Sequence, residues 1–116
     1  MRITLEKGFV DIYKEVFSVI CGCAAVNCFG VKGMSVRNTR DGIVQLLKRE
    51  VMSRGINIID CGDGDIAVEL HIVVEYGVNI LSACRSIITE VAYNVSRLTG
   101  VNVSTVDIYV DSILSE

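Results

Sequence analysis

The chain has 116 residues and a mass of 12.7 kDa, the size of one domain. Apolar residues make up 51% and charged ones 22%, which excludes a disordered chain. The net charge of −3 and pI of 5.1 exclude a protein that coats nucleic acid along its whole surface.

No apolar run reaches the roughly 18 residues of a membrane-spanning helix, and Met1 to Glu6 lacks the apolar core of a signal peptide. Five cysteines without framework spacing read as reduced cytosolic thiols. Proline is absent, so there is no proline-rich linker or ligand motif.

Arg2 to Lys7 alternates around Ile3 and Leu5 and predicts a strand ended by Gly8. Phe9 to Phe29 predicts a long helix. Its polar positions, Asp11, Lys14, Glu15, Ser18 and Gly22, fall on one narrow stripe. A helix so apolar around the rest of its circumference must pack on the sheet and also on something else. Gly30-Val31-Lys32-Gly33 breaks it. Met34 to Arg40 reads as loop, and Gly42 to Ser53 as a short amphipathic helix through Ile43, Leu46, Leu47 and Val51.

Ile56 to Cys61 and Ile66 to Tyr76 predict a hairpin turned at Gly62-Asp63-Gly64-Asp65. In its second strand Ile66, Val68, Leu70, Ile72, Val74 and Tyr76 face one way, and Ala67, Glu69, His71, Val73 and Glu75 the other. That pattern fits a sheet covered on one side. Ile80 to Leu98 carries an apolar stripe of Ile80, Cys84, Ile87, Ile88, Val91, Val95 and Leu98, with Asn79 as N-cap and Gly100 after the end. Val101 to Asp111 is the last strand. Val106, Ile108 and Val110 point inward while Val101 and Val103 have the other parity, which predicts a bulge near Ser104-Thr105. The expected fold is a single α+β two-layer sandwich over residues 1–116. Helices cover one face of a small, mostly antiparallel sheet, in the order β-α-(α)-β-β-α-β.

The candidates for chemistry are few. Cys21 and Cys23 point about 200° apart on a helix and cannot share one ion; the cysteines read as small buried hydrophobes. The one histidine, His71, sits on the polar face of a strand, with no Gly-x-Ser-x-Gly motif elsewhere. Asp60, Asp63 and Asp65 lack calcium-loop spacing and read as turn residues. Charge is uneven: Lys32 to Arg54 carries six basic and two acidic residues, against five and twelve in the remainder. Lys32, Arg37 and Arg40 are therefore candidate anion-binding residues. Gly30-Val31-Lys32-Gly33 also matches the GXXG that clamps RNA backbone in KH domains, although there the second helix follows at once. A KH-like nucleic-acid-binding module using Lys32 to Arg54 is thus the alternative reading.

The segment Ala25-Val26-Asn27-Cys28-Phe29-Gly30-Val31-Lys32-Gly33-Met34 resembles the first-helix end and glycine turn of the alkaline shock protein family of Gram-positive bacteria, the Asp/Gls-type envelope stress response proteins. Asp41-Gly42-Ile43, Leu46 to Gly55, Ile72-Val73-Val74-Glu75-Tyr76-Gly77 and Val106-Asp107-Ile108-Tyr109-Val110 are similar to its successive blocks, in collinear order over nearly the whole chain. The likeness is greatest to the short YloU-like branch. The resemblance implies a small intracellular protein of envelope homeostasis or stress response, without a cofactor or catalytic residue set. It also implies self-assembly or docking on a protein partner, in some members a membrane anchor protein that holds them peripherally at the membrane. Gly30, Gly33, Gly42 and Gly77 are then structural glycines of the family motif.

The expected activity is non-enzymatic: an interaction, scaffold or regulatory module acting through oligomerisation or docking. Its candidate partner surface comprises His71, Glu75, Tyr76 and Tyr109. Tyr76 is either an exposed aromatic anchor or plain core at the end of an alternating strand.

Overall fold

The computed structural model describes residues 1–37, 42–48 and 53–115. Among these it holds strands β1 (Arg2–Leu5), β2 (Gly8–Asp11), β3 (Val31–Arg37), β4 (Val44–Leu46), β5 (Ile56–Gly62), β6 (Asp65–Glu75) and β7 (Asn102–Leu114), with helices α1 (Lys14–Val26) and α2 (Ile80–Thr99). The class is the expected one: an α+β fold with a mostly antiparallel sheet.

β6 is the central strand. One of its edges carries β5 along Asp65 to Leu70 and β3 along Ile72 to Val74, both antiparallel. β7 runs parallel to it from Asp65 to Glu75. A parallel pair needs a crossover, and α2 is that crossover. β4 continues the sheet beyond β3. The core lies between sheet and helices. Ile66, Val68, Leu70, Ile72 and Val74 of β6 meet Phe17, Cys21 and Ala25 of α1 and Ile87, Val91 and Val95 of α2.

The strongly periodic elements fall where the pattern puts them. Asn79 accepts the backbone N–H of Ser82 at 3.0 Å, and Gly100 closes α2 in the left-handed region at φ 77°. The bulge expected in the last strand lies at Ser104, where the β6–β7 register shifts. A second, unforeseen shift skips Asp111.

Three segments differ from expectation. Phe9 to Phe29 is not one helix: Gly8–Asp11 pairs with Arg2–Leu5 as a hairpin, and α1 begins at Lys14. Arg2 pairs with Asp11 at the open end of this ribbon at 2.9 Å and its guanidinium lies 3.9 Å from the Phe9 ring centroid. Met34 to Arg40 is not a loop as far as Arg37, since β3 runs from Val31 to Arg37. Its Gly33, Met34 and Ser35 are all buried, so no alternation marks the strand. Nor is Gly42 to Ser53 a helix across Val44–Leu46, which pairs with β3; residues 49–52, with Val51, lie outside the described residues. Tertiary pairing overrides the short amphipathic pattern there.

Within α1 the stripe read as polar divides: Lys14 and Glu15 stay exposed, and its two later positions turn inward. Ser18 and Gly22 are buried with Phe17, Cys21, Ala24 and Ala25, while Val16 and Val19 face out. Small side chains let the helix sit close to the sheet, and close approach outweighs the polarity of one hydroxyl.

Candidate functional site

The most organised polar cluster lies on the sheet face away from the helices, around Asp111. The bulge in β7 leaves Asp111 without a place in the ladder. Its side chain, 4% exposed, lies over β6. The carboxylate accepts the Ser35 hydroxyl at 2.9 Å and His71 Nδ1–H at 3.0 and 3.1 Å. Because a carboxylate only accepts, Nδ1 carries a proton in this contact. Arg37 Nη2 donates to the Asp111 carbonyl at 2.7 Å, and Arg37 Nε stands 3.9 Å from the carboxylate. Tyr109, opposite His71 in the register, stacks on the imidazole at 4.7 Å between centroids and 12° between planes.

These are the residue types of a serine hydrolase in the wrong order. In that machinery the imidazole stands between hydroxyl and carboxylate and takes the hydroxyl proton. Here the carboxylate is the hub: the fully buried Ser35 Oγ donates to Asp111, and the imidazole bonds that same carboxylate. The arrangement ties β3, β6 and β7 together and activates no nucleophile. No group of three or more possible metal ligands occurs among the described residues.

The candidate partner residues fall into two places. His71 and Tyr109 are the stack just described. Glu75 lies four residues along β6, about 13 Å away, and pairs with Lys32 at 3.2 Å. Tyr76 is not core: the strand ends at Glu75, and Tyr76 sits in the turn at 76% exposure, its N–H bonded to the Leu114 carbonyl. Val73, assigned by parity to an open face, is buried.

The structural glycines divide as well. Gly30, Gly42 and Gly77 have φ of 87°, 71° and 95°, where glycine is the undemanding residue. A Cβ on Gly30 would also stand 2.7 Å from Val78 Cγ1. Gly33 keeps an ordinary φ, and a Cβ there would meet Leu46 Cδ1 at 3.2 Å.

The KH-like reading loses its geometry. Gly33 lies inside β3, Lys32 occupies a bulge, and the segment leads into a strand and not a second helix. Of the candidate anion-binding residues, Lys32 is paired with Glu75 and Arg37 with Asp111; Arg40 lies outside the described residues. Turn chemistry accounts for Asp60, which accepts the Gly62 N–H at 2.9 Å, and for Asp63, the one non-glycine described at positive φ.

Burial as a small hydrophobe holds for Cys21, whose thiol is pushed up to about 12. Cys28 and Cys84 are raised the same way, Cys28 also by Glu90, but both are only partly buried. Cys61 is exposed.

On the other side of the molecule, α1 and α2 leave a cleft of about 630 Å³ between them. Val19, Ile20, Cys23, Ala24 and Leu98 make its apolar lining, with Glu90 and Asn94 on the α2 side. Val16, Val19, Ile88, Tyr93 and Leu98 are exposed on this helix layer. No helix among the described residues is long and apolar enough to cross a membrane.

The chain is 36% identical to the uncharacterized protein YloU of Bacillus subtilis, over 97% of this chain and 94% of that one. It is 27% identical to the uncharacterized Streptococcus pyogenes protein Spy1614, over 97% and 93%. To the uncharacterized B. subtilis protein YqhY it is also 27% identical, over 89% and 75%. No solved structure matches it. The model of the alkaline shock protein 23 family, described as having a cell envelope-related function, matches residues 2–115, and with the collinear glycine blocks and this fold it establishes that the chain belongs to that family.

Proposed function

We propose that the protein is a non-enzymatic interaction module serving envelope-related physiology, a scaffold or regulator that works by oligomerising or by docking on a protein partner. The observation that carries this reading is the outer surface of the helix layer. Large apolar side chains stand in water there around a cleft that Val19, Ile20, Ala24 and Leu98 line together with the polar Asn27, Ser86, Glu90 and Asn94. The cluster at Asp111 supports it from the other side, because its donors and acceptors are spent on holding strands. In the cell the module works on the cytoplasmic side, reaching the envelope through a partner that is itself anchored.

The test joins light scattering on the purified chain to cross-linked co-purification from the native cell. A dimer or larger species, or one dominant stoichiometric partner, is expected. A strictly monomeric protein that brings down no partner removes the reading.

A further inference from the structure

We infer that the free edge of β7, from Thr105 to Val110, takes an extended, arginine-bearing segment of a partner protein as an added strand. The inference rests on the docking branch of the interaction-module reading and names a second surface, with the chemistry of what binds there.

β7 hydrogen-bonds β6 along one edge, and no described strand pairs with the other. An edge strand turns a row of backbone N–H and C=O groups to water, which is a template for one more strand. The register shifts at Ser104 and Asp111 interrupt that template at both ends. Between them Thr105 to Val110 pair one for one with Ala67 to Ile72, so this run is regular.

Its side chains sort by parity. Val106, Ile108 and Val110 lie on the helix side, and Thr105, Asp107 and Tyr109 on the open face. His71 of β6 covers one face of the Tyr109 ring, with centroids 4.7 Å apart. That matches the spacing of neighbouring strands, about 4.7–4.9 Å. The other ring face is thereby turned toward the free edge, and Tyr109 is 47% exposed. A planar cation opposite Tyr109 on an added strand would form the third layer of this stack. Asp107, two residues earlier on the same face, lies opposite Glu69 in the register. Glu69 accepts an N–H from Asn57 at 2.8 Å, and neither carboxylate has an ion pair among the described residues.

Ring and carboxylates select the same side chain, because a guanidinium stacks on one and pairs with the other. A second copy of β7 does not meet the demand. Asn102–Leu114 contains no lysine or arginine and would bring more carboxylate to an acidic row. On the helix side the half-buried Ile108 and Val110 suit apolar residues at the alternate positions.

The probe is a short labelled peptide of alternating valine and arginine, titrated with the full chain by fluorescence anisotropy. A Kd of about 100 μM or tighter is expected, at least about tenfold tighter than for the valine–glutamate counterpart. Hydrogen exchange should show new protection within Thr105 to Val110. N-methylating every peptide residue should abolish binding, since no N–H remains for the ladder. Tyr109→Leu should weaken binding at least about threefold, and Asp107→Lys, which exchanges attraction for repulsion, at least about fivefold. Glu90→Gln, an acidic position on α2, should leave it unchanged, and all three variants should keep the wild-type circular dichroism. No binding, binding indifferent to Asp107 and Tyr109, or a wild-type dimer that already protects these amides without peptide overturns the inference. If the peptide fails while the chain still oligomerises or co-purifies with a partner, the interaction-module reading stands. If the chain is also monomeric and partnerless, both fall.

Discussion

Replacing Asp111 with alanine tests the account of the sheet cluster. The native carboxylate is nearly inaccessible and accepts Ser35 Oγ at 2.9 Å and His71 Nδ1 at 3.0 Å. Removing it leaves the Ser35 hydroxyl, fully buried, with no acceptor, at about 1–3 kcal/mol. The charge-assisted bond from His71 goes too, worth about 1.5–3 kcal/mol before a discount for an imidazole roughly a third exposed. The Arg37 bond to the Asp111 carbonyl does not depend on the side chain and survives. The expected loss is about 3–4 kcal/mol, or about 10–20 °C in Tm for a chain of this length. Asp111→Asn keeps the shape and an acceptor for Ser35 and should lose less than half as much. Urea unfolding followed by circular dichroism, with Ser35→Ala and His71→Ala in double-mutant cycles, gives the coupling energies. If Asp111→Ala loses under about 1 kcal/mol, the carboxylate is not the tie between these strands and the argument fails.

Three further outcomes follow from the packing and capping of the fold. Gly55→Ala places a Cβ 2.7 Å from the Ser35 carbonyl oxygen, a backbone atom with little room to yield; about 1–3 kcal/mol should be lost in the same urea assay. Asn79→Ala removes the acceptor for Ser82 N–H and should lower the urea-derived stability by about 1 kcal/mol. Burial holds the folded Cys21 pKa near 12, above its ordinary 9.0. Its contribution is therefore complete below pH 9 and declines between pH 9 and 12, by up to about 1.4 kcal/mol per unit. Between pH 8 and 10 the wild type should lose about 1 kcal/mol more than Cys21→Ala, and thiol titration should modify exposed Cys61 first and Cys21 only on unfolding.

What was legible in the sequence is what one strand or helix states about itself. The eleven-residue alternation of β6, the stripe and both caps of α2, and the parity change at Ser104 each have a local cause. β3 was not legible because it is buried on both faces: Met34 goes to the helix side, and Ser35 lies under Asp111 from a strand 76 positions away. The turn at Glu6-Lys7 was missed because none of its residues takes positive φ, so it lacks the glycine or asparagine that usually marks a two-residue hairpin. Of the candidate surface, the register explains why His71 and Tyr109 meet, but pairing in the parallel sense cannot be read from either strand alone. The signal for Asp111 was present in one form only. A carboxylate between Val110 and the apolar Ile113-Leu114 end demands donors, and the chain's single histidine lies on the facing strand.

The Asp111 cluster also bears on how β7 is set against β6. A parallel strand that slips by one residue carries its whole apolar set to the wrong side of the sheet, and β7 has register shifts at two points, Ser104 and Asp111. The side chain of the second bulge residue is held in the native setting by Ser35 and His71. A buried polar tie of this kind adds little net stability over a well-packed apolar substitute; its yield is uniqueness of register. Ser35, His71 and Asp111 thereby fix β7, against which α2 packs. The sheet cluster thus acts beyond the sheet: by fixing β7 it fixes the seat of α2, and with it one wall of the cleft that α2 forms with α1.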